Sequence, residues 1–274
     1  MQKKTNPLGN NALFFVKALS ILLFLGCATS DSLDIDIQPA PVGDLYSAEE
    51  IQYQIDASWQ YLGYRSRPNK YIAITFDDGP AGPGTAMLLK ILEGKYVTAT
   101  FFLIGENIEQ FPEHAKAIFE AGHELGNHSW DSDRLDGRVS ERTVRSKLQR
   151  TSQKIHEITG RDPVVFRAPD LAYGNSLKKI CIESHMAIIG ASSIGQDYES
   201  GIKAAQIVNN ILISAEDGAI ISLHETNTAP ATVFALSDMI DHLRARGFWI
   251  MSVSQLAAIK NRPLVSGNRY DTIR

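Results

Sequence analysis

Two adjacent carboxylates, Asp77 and Asp78, end the apolar run Tyr71-Ile72-Ala73-Ile74-Thr75-Phe76 and are followed at once by Gly79-Pro80. The run reads as a buried parallel strand. Gly79 and Pro80 stop it, because proline cannot donate to a ladder and glycine permits a sharp turn. Two negative charges at one strand tip are costly to bury unless a cation or a shared proton compensates. Successive strand side chains point to opposite faces, so one carboxylate can hold a metal while the other handles protons. A solvated Asp-Gly turn would explain the pair taken alone.

The positioning elements follow from the pattern downstream. Apolar runs with strand character recur at 71–76, 98–103, 124–127, 164–167, 187–191, 219–223 and 249–252, with helix-like stretches at 84–94, 107–121, 140–158, 175–185, 203–214 and 231–246. This alternation predicts a parallel sheet with covering helices, closed as a compact barrel or open and doubly wound. Further polar residues fall at the ends of these strands: His128 after the third, Arg167 on the fourth, Asp197 just beyond the fifth and His224 at the end of the sixth. Strand C-termini share one face in such architectures, and ligands bind there. Segments far apart in sequence thus aim charged and imidazole groups at one place.

The rest of the chain sets bounds. It has 274 residues, 44% hydrophobic and 21% charged, enough for a substantial core. The net charge of −4, with signs mixed, gives no footprint for nucleic acid. Residues 1–26 read as an export signal: Lys3 and Lys4 precede an apolar stretch whose uninterrupted part, Ala18–Leu25, is too short to span a bilayer. Gly26-Cys27 at its end resembles a lipoprotein signal, with Cys27 as the mature, lipid-anchored N-terminus, and ordinary cleavage is the alternative. This predicts an exported protein of the cell envelope, touching membrane only through that anchor or signal, or else a soluble secreted or periplasmic one. Residues 27–68 read as a polar tether and then a helix begun by the capping box Ser47-Ala48-Glu49-Glu50, with Ile51, Ile55, Trp59 and Leu62 on one face. Residues 69–260 form the single catalytic domain, and 261–274 a polar, frayed tail. The second cysteine, Cys181, lies in a helical pattern and reads as core.

Five motifs, in order and at family spacing, resemble the polysaccharide deacetylases with NodB homology, the carbohydrate esterase 4 family: Thr75-Phe-Asp-Asp-Gly-Pro80, Gly122-His-Glu-Leu-Gly-Asn-His-Ser129, Phe166-Arg-Ala-Pro169, Gln196-Asp-Tyr198 and Ser222-Leu-His224. The resemblance implies a distorted (β/α)7-type barrel of parallel strands. It also implies a divalent metal, usually Zn2+ with Co2+, Mn2+ or Ni2+ as alternatives, and hydrolysis of acetyl groups on an acetylated polysaccharide or peptidoglycan. By position, Asp77 matches the base, Arg167 the arginine that orients it, His224 the general acid and Asp197 the carboxylate that tunes it. Asp78 and His128 match metal ligands. Leu223 would line the acetyl pocket, and a backbone N–H near Pro169 and Asp170 would meet the oxyanion.

The chain departs from the family pattern in places. Ser132 stands where a second metal histidine is usual, and serine is a weak zinc ligand. Asp131 or Asp133 could substitute, or the protein could be a noncatalytic glycan-binding lipoprotein. Asp170 stands where an aromatic is usual, and Tyr173 could supply that wall. Tyr198 replaces a more usual tryptophan. Trp130, beside His128, is placed either to stack on a sugar or to cover the barrel. Glu225, Thr226 and Asn227 are placed to line the groove. His123 reads as packed or hydrogen-bonded rather than ligating.

Overall fold

Hydrophobic alternation along the first strand fixes the architecture of this computed structural model, which describes residues 46–62, 68–225 and 230–274. Strand β1 (Lys70–Gly79) sends Ile72, Ile74 and Phe76 into a core shared with the helices, and Ala73 into a second core. Thr75 and Asp77 follow Ala73 by the two-residue period, so the inner face turns polar toward its C-terminal end.

The strands β2 (Thr100–Leu103), β3 (Glu124–Asn127), β4 (Val165–Phe166), β5 (Ala187–Ile189), β6 (Ser193–Ile194), β7 (Ile220–His224), β8 (Phe248–Met251) and β9 (Arg269–Tyr270) join β1 in one parallel sheet. The order is β6-β7-β1-β2-β3-β4-β5-β9, and β8 pairs with the first half of β1. The sheet curls into a distorted half-barrel, as the strand–helix alternation predicts. Its interior is filled by Phe102, Val165, Ala187, Ile189, Ile220, Trp249 and Met251.

The helices sit where the apolar periodicity places them. They are α1 (Ala48–Tyr61), α2 (Pro83–Gly94), α3 (Gly105–Gln110), α4 (Pro112–Glu120), α5 (Glu141–Thr159), α6 (Leu177–Glu183), α7 (Ala204–Ser214), α8 (Pro230–Ala245) and α9 (Val253–Ile259). The stretch expected as one helix over 107–121 is two, broken at Phe111-Pro112, because proline supplies no N–H to continue the ladder. The capping box at α1 is formed: Glu50 N donates to Ser47 Oγ and Ser47 N to Glu50 Oε2, both at 3.1 Å. Ile51 and Ile55 pack into the inner core, against the same cluster as Val253 and Leu256 of α9. Cys181 is buried in the core around α6.

The tail is not frayed. Residues Leu264, Ser266 and Ile273 are buried, β9 pairs with β5, and Thr272 bridges to Ala219. One two-residue strand and two buried apolar side chains carry too little pattern to stand out in a polar sequence, but they bury their surface against preformed strands. The signal segment, the Cys27 anchor and the tether to residue 43 lie outside the described residues. Among the described residues, no helix is long and apolar enough to cross a membrane.

Candidate active site

Asp77 is the centre of a buried ionic network. Its Oδ1 accepts from Arg167 Nη1 at 2.8 Å and its Oδ2 from Ser222 Oγ at 3.0 Å. Arg167 is wholly buried and spends its other donors on Thr75 Oγ1 (2.5 Å), Gly190 O (2.7 Å) and Ile189 O (3.3 Å), with Phe102 packed on its guanidinium. A buried arginine is tolerated because every hydrogen bond aligns with a carbonyl, hydroxyl or carboxylate. Ser222 reaches Asp77 because it lies two residues before His224 on β7, hence on the same face.

The β1–β7 register places Asp77 opposite His224. His224 Nδ1 lies 2.8 Å from Asp197 Oδ1, while Asp197 Oδ2 accepts from the His224 N–H (2.7 Å) and from Thr232 Oγ1 (2.6 Å). Burial pushes the imidazole down, but its hydrogen bond to the Asp197 carboxylate and the charges of Asp77, Asp197 and Asp78 outweigh it, and its pKa is raised to about 9. His224 is therefore an imidazolium at neutral pH. The Tyr198 ring stands edge-on to it at 5.5 Å.

Asp78 follows a register shift in the β1–β2 pairing and takes the left-handed conformation, φ 69°. That twist turns its carboxylate toward His128, with Oδ1 3.4 Å from Nε2. Burial raises the Asp78 carboxyl, yet the hydrogen bond to His128 and the charges of His128 and His224 hold it below the usual range. His128 Nδ1 donates to Arg167 O at 2.8 Å, which fixes the ring so that Nε2 is the nitrogen facing Asp78.

This pair suits a divalent cation. Two donors bound tetrahedrally at about 2.0–2.2 Å lie about 3.3–3.6 Å apart, and the Asp78–His128 separation falls in that window. The remaining corner has no third protein ligand of the usual kind, since among the described residues no group of three His, Cys, Asp or Glu converges. The expectation that Asp131 or Asp133 substitutes is corrected. Both carboxylates are held by Lys147 Nζ, at 2.6 and 2.9 Å. Ser132 between them is exposed.

Other expected site residues are redistributed. Trp130 is not open for a sugar to stack on, which leaves the reading as a cover. It is 5% exposed, donates to Glu106 Oε1, and carries Arg150 on its ring face at 3.4 Å. Leu223 is also corrected: strand alternation turns it away from the Ser222 face, and it packs beside Gly195 in the helix-facing core. Pro169 is buried, and Asp170 is exposed, left-handed at φ 53°, and paired with Arg134 at 3.2 Å. Tyr173 points its hydroxyl at Ile189 O and has Arg269 over its ring, so that aromatic face is covered.

Glu225 does not line the groove. It is buried behind the turn after β1, where Oε1 accepts from Thr85 Oγ1 and from Ala81 N, and its own N–H donates to Asp77 O at 2.8 Å. Burial, with the Asp78 charge adding, pushes its pKa up to about 7 against those donors. Nothing in the sequence beyond its place after His224 signals this strap across the Asp77–Ala81 turn. Thr226 and Asn227 lie outside the described residues. His123 is packed, accepting from Ala99 N, and burial drives its pKa down to about 4.

Asp78, Asp197, Tyr198 and His224 open onto a groove of about 710 Å3, which continues past Lys203 to Phe234. With two carboxylate–cation pairs, a metal-suited Asp–His pair and an open groove at the strand C-termini, the geometry can be compared with known proteins. A polysaccharide deacetylase family profile matches residues 64–187. A crystal structure of the Xyl-CE4 domain of a multidomain xylanase, from the hindgut metagenome of Trinervitermes trinervoides, superposes with a TM-score of 0.69 at 33% identity, covering 74% of this chain and 98% of that one. This chain belongs to the polysaccharide deacetylase family. It is 31% identical over 206 residues to the peptidoglycan-N-acetylglucosamine deacetylase PgdA of Listeria monocytogenes, which matches 75% of this chain but only 42% of PgdA. A family 4 acetyl xylan esterase from Clostridium thermocellum, solved with a cobalt ion, shares 27% identity and a TM-score of 0.69 over 74% of this chain and 99% of its own. The family also contains a pseudoenzyme from Bacillus anthracis, with 26% identity, a TM-score of 0.65, and coverage of 72% of this chain and 68% of its own.

Proposed function

We propose that the protein is a metal-dependent hydrolase that removes acetyl groups from a carbohydrate polymer of the cell envelope: N-acetyl from peptidoglycan or chitin-like sugars, or O-acetyl from xylan. Its export and a lipid anchor at Cys27 belong to the same proposal. The observation that carries it is the β1–β7 register, which sets a carboxylate held by Arg167 opposite an imidazolium held by Asp197, with Asp78 and His128 beside them.

Asp78 and His128 would hold the cation, most simply Zn2+ with Co2+, Mn2+ or Ni2+ as alternatives. When bound, the cation polarises the acetyl carbonyl and makes a water molecule a stronger acid. Asp77 takes the proton of the attacking water. Arg167 and Ser222 hold it in place by hydrogen bonds to its two oxygens. The Asp170 N–H would meet the oxyanion, a reading supported by the next two N–H groups of its turn being spent on Ala168 O and Pro169 O. His224 then gives its proton to the departing amine or alkoxide, and Asp197 steadies the ring through both transfers.

The test supplies acetylated xylan, chitooligosaccharides and peptidoglycan fragments with metal and follows acetate release. Asp78→Ala should lose metal and turnover together. No acetate from any of the three overturns the reading. A second reading, a noncatalytic glycan-binding protein, is favoured by the two-ligand corner and the exposed Ser132. In that case the purified protein holds no stoichiometric cation. Ser132→His should then tighten metal binding if residue 132 reaches the cation.

A further inference from the structure

Phe234 and Tyr198 are the two largest exposed apolar side chains on the groove wall, 70% and 63% exposed. Neither position is accidental. Tyr198 follows Asp197 directly and rests edge-on against His224. Phe234 lies on the first turns of α8, and that end of α8 is pinned to the same dyad, because Thr232 is buried and donates to Asp197 Oδ2 at 2.6 Å. The one carboxylate that steadies His224 therefore also sets where the Phe234 ring stands. Phe234 lies beyond residue 187, where the family profile ends, and outside the five motifs.

A phenylalanine left open to water on a helix loses hydration free energy unless something covers it. The groove holds more volume than a single sugar ring fills, and it runs from the reacting atoms to this ring. Its charged groups, Asp78, Asp197, Glu199, Lys203 and His224, are of both signs, with Asp78 and Asp197 each paired to a histidine, which does not suit a polyanion. An apolar ring face with an aromatic edge beside it matches the C–H-rich face of an uncharged pyranose.

We propose that Phe234, with Tyr198, forms a subsite for an uncharged pyranose adjoining the sugar that presents its acetyl group at His224, so that the chain reads a stretch of polymer rather than one residue. This assignment rests on the carbohydrate reading of the site. It is tested without turnover, so that the two can fail separately.

In chelator, with no catalysis, tetra-N-acetylchitotetraose and N-acetylglucosamine are titrated into the full protein and followed by NMR chemical shifts. The wild type should bind the tetramer more tightly than the monosaccharide, and Phe234→Ala should shrink that ratio about fivefold. Phe234→Tyr, which keeps a ring, should restore it. An unchanged ratio in Phe234→Ala overturns the subsite even if acetate release is found. A collapsed ratio upholds it even if no acetate is released. Phe234 makes no core contact, so the substitution leaves the fold intact, and the amide spectrum verifies this in the same samples.

Discussion

The two ends of the curled sheet are both polar, yet they are built for opposite purposes. At the C-terminal end, Asp77 pairs with Arg167 and Asp197 with His224, each at 2.8 Å, and Asp197 and His224 line an open groove. At the N-terminal end, Glu124, the first residue of β3, accepts from Thr100 Oγ1, Ser254 Oγ and Ser254 N, and among the described residues no cation pairs with it within salt-bridge distance. Burial raises its carboxyl strongly, with those donors and Arg161 pulling the other way. This end is plugged by α9, whose first residues meet β2 and β3 through Thr100 and Glu124, and α1 packs on α9. Glu124 opens β3 and His128 directly follows its last residue, four positions on. A buried acid satisfied by hydroxyls ties elements together, whereas one satisfied by a guanidinium beside a groove stays charged for chemistry.

The sharpest way to break this contrast is Arg167→Ala. Removing the guanidinium leaves Asp77 buried without its cation and takes the donor from the Gly190 carbonyl. The expected loss is about 3–5 kcal/mol in urea unfolding, together with acetate release. A variant of wild-type stability would mean that Asp77 is not held as a charge.

The next effect belongs to the closed end. Above pH 6.5 His123 is neutral in both folded and unfolded chains. Between 6.5 and about 4 the unfolded chain takes up a proton that the buried ring refuses, so stability falls as pH falls, by about 3 kcal/mol in all, and levels off below. The neighbouring Glu124, with a raised carboxyl, contributes the opposite slope. The comparison is therefore wild type against His123→Asn, which keeps an acceptor for Ala99 N. The variant should show the shallower acid limb in thermal melts between pH 4 and 6.5. Equal limbs would place His123 in contact with water.

What the residues revealed in advance divides along the same line. The strands and most helices were legible because periods of 2 and 3.6 are imposed by burial, which dominates over some 180 residues. Asp77, Asp78, His128, Arg167, Asp197 and His224 could be located because strand ends in a parallel sheet meet in space, whatever their separation in sequence. Trp130 and Leu223 were misplaced because adjacency to a site residue says nothing about orientation. In β7 the next side chain is on the other face, and in the loop after β3 Arg150 reaches across from α5 to cover the indole. Glu225, Thr232 and Phe234 had no periodic signal. Their roles come from tertiary neighbours, and the tail was missed because β9 is two residues long.

Glu124→Ala tests whether the closed end is only structural. It orphans the hydroxyls of Thr100 and Ser254 and an N–H at the start of α9, for an expected cost of about 1–3 kcal/mol. Acetate release by the folded fraction should not change. A fall in turnover without a fall in stability would join the two ends into one device and dissolve the contrast.

The smallest expected effect is at the cap of α1, on the far side of the plug. Ser47→Ala removes the acceptor for Glu50 N and one half of the reciprocal box. Exposed N-caps are worth about 1 kcal/mol. Because α1 contributes Ile51 and Ile55 to the inner core, fraying of its first turn should loosen α9 before it reaches the groove. Hydrogen exchange should therefore quicken in α1 and α9 while the amides of Asp77 and His224 keep their protection. Faster exchange at those two amides would show that the plug, and not only the Arg167 network, holds the catalytic strand tips in register.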